Sequence, residues 1–297
     1  MSGTAAPMPR EALVAAAGET IRHGSKSFHA ASRLFDRQAR ERAWLLYSWC
    51  RHCDDVCDGQ TLGRPGGGGP GGCIDALEED TRRVLAGERL GNLPFDGLAQ
   101  VMAECPIPHR FVFDHLEGFA LDEAGWRPRN EGDLIKYCYH VAGAVGCMMA
   151  VAMGVPSEEE ETLRRASDLG IAFQLSNIAR DVREDQEAGR CYLPTEWLAD
   201  ADLDGADLMR AERREALVRL VARLVALAER YEQSALAGVK RLPFRSRWAI
   251  LAAAGIYGGI GRKVAALGPG AWDQRVVIRR REKLLTIAGA LRGALAA

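Results

Sequence analysis

A ten-residue stretch of the sequence, CRHCDDVCDG from Cys50 to Gly59, contains the ligands of two different metal sites. Its three cysteines and one histidine are typical of a soft zinc site, whereas its three aspartates suit a hard cation such as Mg²⁺. A structural zinc site usually takes four ligands from two separate knuckles, and the chain has no second CxxC and no HxxxH. We therefore interpret the cysteines as small buried hydrophobic residues.

The aspartates of this stretch fall on one helical face. If residues 44–58 form one helix at about 100° per residue, Asp54 and Asp58 share a narrow stripe with Tyr47 and Arg51. The i,i+4 spacing lets both carboxylates reach one hard cation while water completes its coordination. An isolated DxxxD is most often a solvated acidic face, so this motif alone leaves both alternatives open.

A second DxxxD motif favours the metal site. It lies in LGIAFQLSNIARDVREDQEAGRCYLP, residues 169–194, where one helical stripe carries two amides and then two carboxylates. A solvated face does not require this alignment, whereas two such helices facing each other would form a cage of four carboxylates. A glycine on the stripe would let another group approach the helix backbone. The stripe consists of Gly170, Gln174, Asn177, Asp181 and Asp185.

Four carboxylates with Arg180 and Arg190 nearby predict a ligand that is itself highly anionic. Mg²⁺ prefers one or two carboxylates together with substrate phosphates. A diphosphate leaving group fits, because cations neutralise its charge as the C–O bond breaks. The chain has neither a Walker A motif nor GxGxxG, so nucleotide chemistry has no support. The net charge of −1 gives no electrostatic reason to expect a nucleic acid partner.

The elements that carry these motifs are predicted to be helices. Most of the 297 residues follow a helical period, and no internal repeat of fixed length occurs. We predict an all-α fold with a single domain over residues 1–297. The segment GRPGGGGPGG, Gly63 to Gly72, is rich in breakers, and we expect a mobile loop that is neither helix nor strand.

The sequence favours a cytoplasmic location. Its first residues make a poor secretory signal, and eight cysteines without such a signal indicate reduced thiols. The longest uncharged stretch, Tyr137 to Ser157, has an apolar part shorter than the ~18–20 residues that span a bilayer. We expect it to form a buried helix.

These motifs resemble those of the squalene and phytoene synthase family, the head-to-head isoprenoid synthases. The second aspartate segment matches one family signature nearly position by position, and YCYHVAGAVG is similar to another signature. The resemblance extends over roughly Gly24 to Arg281 and is strongest to bacterial phytoene synthases. The segments that carry it are Gly24–Phe28, Leu46–Asp58, Tyr137–Gly146 and Leu169–Pro194.

The resemblance implies an all-α isoprenoid synthase fold whose central cavity carries the two aspartate motifs at its mouth. The implied reaction joins two molecules of geranylgeranyl diphosphate, through a cyclopropyl diphosphate, to phytoene in carotenoid biosynthesis. The implied cofactor is Mg²⁺, with Mn²⁺ as a substitute and without NADPH. Because the product is a hydrocarbon that is released into lipid, we also expect peripheral contact with a membrane.

Carried over at matching positions, the resemblance implies a metal set and a substrate set. The metal ligands are Asp54, Asp58, Asn177, Asp181 and Asp185. The residues of the substrate and diphosphate sites are Ser25, Lys26, Ser27, Phe28, Tyr47, Arg51, Tyr137, Gln174, Asn177, Arg180, Arg190, Tyr192 and Arg275.

Some positions depart from the family pattern or have a plainer interpretation. Gly24 stands where some relatives have histidine, and in IYGGIG no Arg or Lys follows Tyr257. Both departures concern local phosphate contacts. Four of the implied residues could instead be helix caps or core residues: Ser25, Ser27, Phe28 and Tyr47.

Three other functions are alternatives. A C15-specific enzyme of the same family would make dehydrosqualene or squalene. A chain elongase or terpene cyclase would also use aspartate-rich helices, but NIARDVRED lacks the Ser/Thr and Glu spacing of a cyclase. A non-catalytic assembly factor would be expected to lose the metal-binding acids, and this chain keeps all four.

One helix suggests the length of the substrate. If residues 25–32 begin a cavity-lining helix, Ser32 lies one turn beyond Phe28 on the same face. Ser32 and the two alanines before it are small, so this wall would leave room for a C20 tail. Trp44 could narrow the tunnel instead.

Overall fold

The computed structural model describes residues 8–57, 59–61, 64–65 and 72–296, and these ranges are mostly helical. The prediction of an all-α fold is confirmed. The helices are α1 (Arg10–Gly24), α2 (Lys26–Ser32), α3 (Arg37–Cys57), α4 (Cys73–Leu85), α5 (Leu93–Glu104), α6 (His109–Glu123), α7 (Glu131–Cys138), α8 (Ala144–Ala152), α9 (Glu160–Glu187), α10 (Thr195–Asp200), α11 (Arg214–Leu236), α12 (Phe244–Leu267) and α13 (Arg280–Ala296). Tyr139–Gly143 is a π-helical turn, and short 3₁₀ turns are formed by Ala211–Arg213, Val239–Arg241 and Gly268–Trp272.

Part of the glycine-rich segment contradicts its prediction. Gln60–Thr61 (β1) pairs antiparallel with Arg64–Pro65 (β2). Two antiparallel strands need a connection of only two residues. An edge strand tolerates proline where its backbone N–H has no neighbouring strand to bond. The expectation that the segment contains no strand is therefore wrong at β2. The rest of the segment before Gly72, and Asp58 of the first motif, lie outside the described residues.

Helix α3 begins at a side-chain cap and carries the first motif on an amphipathic helix. The Asp36 carboxylate accepts a hydrogen bond from the Ala39 backbone N–H at 2.9 Å. On the buried face Leu46, Trp49 and Cys53 recur at helical spacing and are fully buried. Cys53 therefore packs as a small hydrophobic residue, as the sequence indicated.

The core is divided mainly between two hydrophobic clusters. One joins α1, α3, α4, α5, α6 and α8, and the other joins α7, α9, α10, α11 and α12. A cavity takes its lining from helices of both clusters. The fold thus provides a mostly apolar space between the helix carrying the first motif and the helix carrying the second.

Two glycines allow the helices that flank this space to pack backbone to backbone. A Cβ on Gly170 of α9 would lie 2.2 Å from the carbonyl oxygen of Ala142, and one on Gly146 of α8 would lie 2.3 Å from that of Ala166. The expectation that Gly170 lets another group approach the backbone is confirmed, and the group is the π-helical turn.

Two helical runs have the length and composition of membrane spans, and both contain many buried residues. They are Glu131–Ala152 and Phe244–Trp272, and 56% and 44% of their most apolar stretches are buried inside the protein. Core helices of soluble proteins pass the same test, so this finding is weak evidence for a membrane span. The first run contains most of the uncharged stretch for which we expected a buried helix.

Candidate active site

The cavity has a volume of about 460 Å³ and combines an apolar wall with a group of polar side chains. This volume is in the range of small-molecule sites. The polar side chains include Tyr47, Arg51, Asp54, Asp122, Tyr137, Gln174 and Asn177. The apolar wall includes Phe35, Val145, Met149, Met153, Leu169, Leu242 and Ile250.

The helix directions place these two groups at opposite ends of the cavity. Along α9 the lining extends from Thr162 to Asn177, a rise of about 22 Å. Its amide residues, Gln174 and Asn177, lie toward the second motif. Toward the start of the helix the lining contains the apolar Ala166 and Leu169 together with Thr162 and Arg165, and the Arg165 guanidinium is paired with Glu161. The polar end of the cavity is therefore the end nearest both aspartate motifs.

At the first motif, one arginine holds two carboxylates. Arg51 Nη1 lies 2.8 Å from Asp54 Oδ2, and the same guanidinium also pairs with the buried Asp55. Asp54 and Arg51 both line the cavity, and Asp54 is 41% exposed. Asp54 thus faces the cavity, whereas the neighbouring Asp55 is held inside the helix packing.

At the second motif, the carboxylates differ in their surroundings. Arg180 Nε donates to Asp181 at 2.7 Å, and Arg275 Nη2 lies 3.0 Å from the same carboxylate. Burial and the neighbouring Asp181 charge raise the pKa of Asp185 to about 7, although Arg190 acts in the opposite direction. A buried carboxylate crowded by like charge is an environment that a bound cation would relieve.

The donor set suits a hard cation that is completed by other ligands. Asn177 Oδ1 is buried and has no hydrogen-bond partner among the described residues, so this neutral oxygen is available as a metal ligand. Among the described residues, no three His, Cys, Asp or Glu side chains come close enough to enclose a metal by themselves. Mg²⁺ usually keeps several water ligands and shares substrate phosphates, so its site does not require the protein to supply every ligand.

The cysteines of the first motif occupy the stripe of α3 next to that of Asp54 and Arg51. Cys50 lines the cavity, Cys53 is buried in the core, and Cys57 Sγ lies 3.1 Å from Cys73 Sγ at the start of α4. Burial raises the pKa of Cys50 to about 12, so its thiol is protonated at neutral pH.

An aspartate that no sequence motif indicated lies between two of the predicted tyrosines. Tyr137 donates its hydroxyl hydrogen bond to Asp122 Oδ2 and Tyr192 donates to Asp122 Oδ1, both at 2.8 Å. The two rings stack with centroids 4.8 Å apart, and Trp126 stacks on Tyr137 from the other side. Burial and this carboxylate raise the pKa of Tyr137, so the phenol stays neutral and donates.

The short helix α2 closes one side of the cavity. Ser25 is its N-cap, accepting from the Phe28 N–H at 3.2 Å, and its hydroxyl also lies 3.4 Å from that of Tyr257. Phe28 lines the cavity, and its ring contacts Tyr47. The capping interpretation of Ser25 is correct, and it coexists with a position next to a cavity-lining residue.

The predicted role of Ser32 in the cavity wall is wrong. Ser32 is fully buried outside the lining, because its hydroxyl donates to the His29 carbonyl and accepts from Trp44 Nε1, each at 2.9 Å. Trp44 is also outside the lining. The residues of this region that do line the cavity are Phe28, Ala31 and Phe35.

The structure brings about half of the predicted site residues to the cavity. Those in its lining are Phe28, Tyr47, Arg51, Asp54, Tyr137, Gln174 and Asn177. The described ones outside the lining are Ser25, Lys26, Ser27, Arg180, Asp181, Asp185, Arg190, Tyr192 and Arg275. Several of these surround the polar end: Arg180 and Arg275 bind Asp181, and Tyr192 binds Asp122.

The sequence analysis missed several lining residues, and three of them can donate or accept hydrogen bonds near the predicted site. They are Asp122, His115 and Tyr257. Asp122 is followed by Glu123 but has no acidic residue four positions before or after it, so no i,i+4 spacing indicated it. His115 is buried between Trp49 and Phe119, and burial lowers its pKa to about 4.

Comparison with known proteins gives consistent matches over nearly the whole chain. The model of the squalene/phytoene synthase family matches residues 21–282. A 15-cis-phytoene synthase from Pantoea ananas is 46% identical over 287 residues, covering 95% of this chain and 92% of the relative. A phytoene synthase from Pseudescherichia vulneris is 43% identical over 293 residues, with coverage of 95% and 92%.

Solved structures show the same fold. A dehydrosqualene synthase in complex with a ligand superposes with a TM-score of 0.86 at 24% identity, covering 97% of this chain and 98% of that one. A squalene synthase from Alicyclobacillus acidocaldarius superposes with a TM-score of 0.76 at 23% identity, covering 89% and 97%. At these identities the likeness concerns the fold alone.

Proposed function

Because the chain belongs to the squalene/phytoene synthase family, we propose that it condenses two molecules of geranylgeranyl diphosphate head to head to phytoene. It is a prenyltransferase of the 15-cis-phytoene synthase type and acts in carotenoid biosynthesis. Curated phytoene synthases at 43% and 46% identity over nearly the whole chain support this activity. Each C20 unit loses its diphosphate and one proton, so the reaction needs no NADPH or other reductant.

The single observation that carries the proposal is the polarity of the cavity. A diphosphate requires cations, and the polar end offers the Arg51 guanidinium together with two oxygen ligands for a bound cation, the Asp54 carboxylate and the Asn177 amide oxygen. The allylic tail requires an apolar space that excludes water, which would quench a carbocation. The opposite wall, with Val145, Met149 and other apolar residues, offers that space.

The metal ligands would be Asp54 and Asp58 on the first motif, with Asn177, Asp181 and Asp185 on the second. When bound, Mg²⁺ would neutralise the diphosphate as its C–O bond breaks. The protein's own residues bind the diphosphate and shield the site. Arg180, Arg190 and Arg275 hold the anionic end, and the stacked Tyr137 and Tyr192 shield the polar end of the cavity.

The activity test supplies purified protein with Mg²⁺ and either the C20 or the C15 diphosphate in separate reactions. We expect phytoene from the C20 substrate, identified by mass, and a much slower reaction with the C15 substrate. A preference for C15 that gives a C30 hydrocarbon would support the dehydrosqualene-type alternative. Inactivity with both substrates would support the non-catalytic alternative.

The cofactor is tested in the same assay. Exhaustive EDTA treatment should abolish turnover, and Mg²⁺ or Mn²⁺ should restore it, without any requirement for NADPH. Turnover that survives EDTA, or a hydrocarbon product that forms only with NADPH, would contradict the proposed chemistry.

We propose a cytoplasmic protein that makes peripheral contact with a membrane. The substrates are water-soluble diphosphates with long tails, whereas the product is a hydrocarbon that water does not dissolve. A surface that contacts lipid would allow the product to leave without crossing water. Fractionation of cells into soluble and membrane pools, with a salt wash of the membranes, tests this location.

A further inference from the structure

Helix α13 exposes an apolar face. The strongly exposed large hydrophobic side chains of the described residues all lie between Phe244 and Leu295, and three are leucines of α13. Leu284, Leu285 and Leu295 are 58%, 74% and 71% exposed. They recur along one side of the helix at positions i, i+1 and i+11, which is three helical turns. A soluble surface does not require three leucines on one helical face.

The opposite side of α13 accounts for the attachment of the helix to the protein. Trp248 Nε1 donates to the Ile287 carbonyl at 2.8 Å, and Arg247 Nη1 donates to the Ala294 carbonyl at 3.2 Å. Thr286 lies against Gly255 of α12, where a Cβ would come within 2.5 Å of its methyl group. The exposed leucines therefore take no part in the packing of α13 on α12.

Basic residues flank these leucines in the sequence of α13. Residues 279–296 contain five basic side chains and one acidic side chain, in a chain whose net charge is −1. The single acid, Glu282, is paired with Lys263 Nζ at 3.0 Å. The exposed basic residues near the leucines are Arg279, Arg280, Arg281 and Arg292.

We propose that the outer face of α13 is a docking surface for an anionic lipid bilayer. Leucines enter the boundary between headgroups and acyl chains, while the arginines remain at the level of the anionic headgroups. A second copy of the chain is a poorer occupant, because a twofold contact through this face would set the same arginines against each other.

The position of α13 connects the surface to the cavity. Its C-terminal part is bonded to Arg247 near the start of α12, and nearby Leu242 lines the apolar end of the cavity while Phe244 is exposed. The apolar end thus lies close to the surface that would contact lipid. The idea that product leaves there rests on the proposed function, whereas the docking surface itself does not.

Vesicle co-sedimentation of the purified full chain tests the surface without turnover. The vesicles contain phosphatidylcholine alone or phosphatidylcholine with phosphatidylglycerol. We expect binding to the anionic vesicles that weakens at high salt, because the arginine contribution is screened. Leu284→Ser with Leu285→Ser should reduce it about tenfold, as should Arg280→Gln with Arg281→Gln.

The matched control is Arg219→Gln, which removes an exposed charge from α11 and should leave binding unchanged. Circular dichroism and turnover in detergent verify that each variant is folded. Equal binding to both vesicle types, or no loss in the leucine variant, would overturn the proposal. A dimer that light scattering detects for the native chain but not for the leucine variant would overturn it in favour of a contact between copies.

Discussion

At the scale of single residues, the polar end of the cavity is organised by carboxylates with different partners. Asp54 and Asp181 are each paired with arginine, whereas Asp122 accepts from two phenols. An arginine partner holds a carboxylate in place until a bound cation competes with the guanidinium for it. A carboxylate that holds two phenols instead fixes the orientation of their rings. Substitutions of these aspartates are therefore expected to have different consequences.

Asp181→Asn should lower kcat by at least about 100-fold, because it removes a negative charge from the cation site without changing its volume much. Turnover at saturating Mg²⁺ and a thermal unfolding curve measure activity and fold separately. Cys57→Ala is the control for the choice between zinc and magnesium, and it should leave the metal requirement intact. Stoichiometric zinc that is lost in Cys57→Ala would instead identify the cysteines as the metal ligands.

Asp122→Asn should lower kcat about tenfold or more, because only one acceptor oxygen remains for two phenolic donors. Tyr137→Phe deletes a phenolic donor and so removes one of the two hydrogen bonds that Asp122 accepts. In the double variant the two losses should not add, with a coupling of about 1 kcal/mol or more. Additive losses would show that the two residues act independently and that Asp122 does not position the tyrosine.

At the scale of elements, the site depends on how closely α9 approaches the π-helical turn and α8. Gly170 and Gly146 leave no room for a side chain at this contact, since a Cβ would lie within 2.3 Å of a carbonyl oxygen at either position. The backbone contact fixes the position of α9 relative to Tyr137 and Val141, which line the cavity. A π-helical turn at a functional site is a recurrent feature of helices.

Gly170→Ala should destabilise the protein by about 1–3 kcal/mol, because the added methyl group overpacks a contact between two backbones. Denaturant unfolding measures the free energy, and turnover should fall in parallel as the cavity wall shifts. Gly289→Ala in α13 is the matched control, since its Cβ would meet no atom within 4 Å. That substitution should stabilise the helix by about 0.5–1 kcal/mol. Equal effects at the two positions would contradict the close-approach explanation.

At the scale of the whole molecule, substrate length is a property of the cavity that α2, α3, α8, α9 and α12 enclose together. On the α2 side the wall includes Phe28, Ala31 and Phe35, whereas Ser32 and Trp44 bond to each other outside it. Ser32→Phe is therefore expected to disturb the packing of α2 on α3 and would not narrow the cavity directly. Ala31 is the small residue of α2 that reaches the space directly.

Ala31→Phe should suppress use of the C20 diphosphate more than use of the C15 diphosphate, because the larger side chain shortens the available space. The measurement is the ratio of kcat/KM for the two substrates, and Ala31→Leu provides a milder variant if the first does not fold. Ala30→Phe, on the same helix but outside the lining, is the control. An equal loss for both substrates would show that this wall does not set substrate length.

The sequence by itself determined the helical class and both aspartate stripes. A helical period assigns each residue an angle about its own axis, so Asp54 with Arg51, and Gln174 with Asn177, could be placed on common faces before any fold was known. The long second motif also indicated the family. These conclusions rest on neighbours three or four residues apart, and such contacts follow from helix geometry alone.

Only the tertiary structure decided which neighbours those faces meet. Asp122 and Tyr192 are 70 residues apart in the chain, so no local spacing predicts their hydrogen bond. Ser32 has the angle of a wall residue, yet its hydroxyl turns to Trp44 because a buried polar group requires a partner. The angle of a side chain is set by its own helix. Its function depends on the helix that packs against it, which only the folded chain determines.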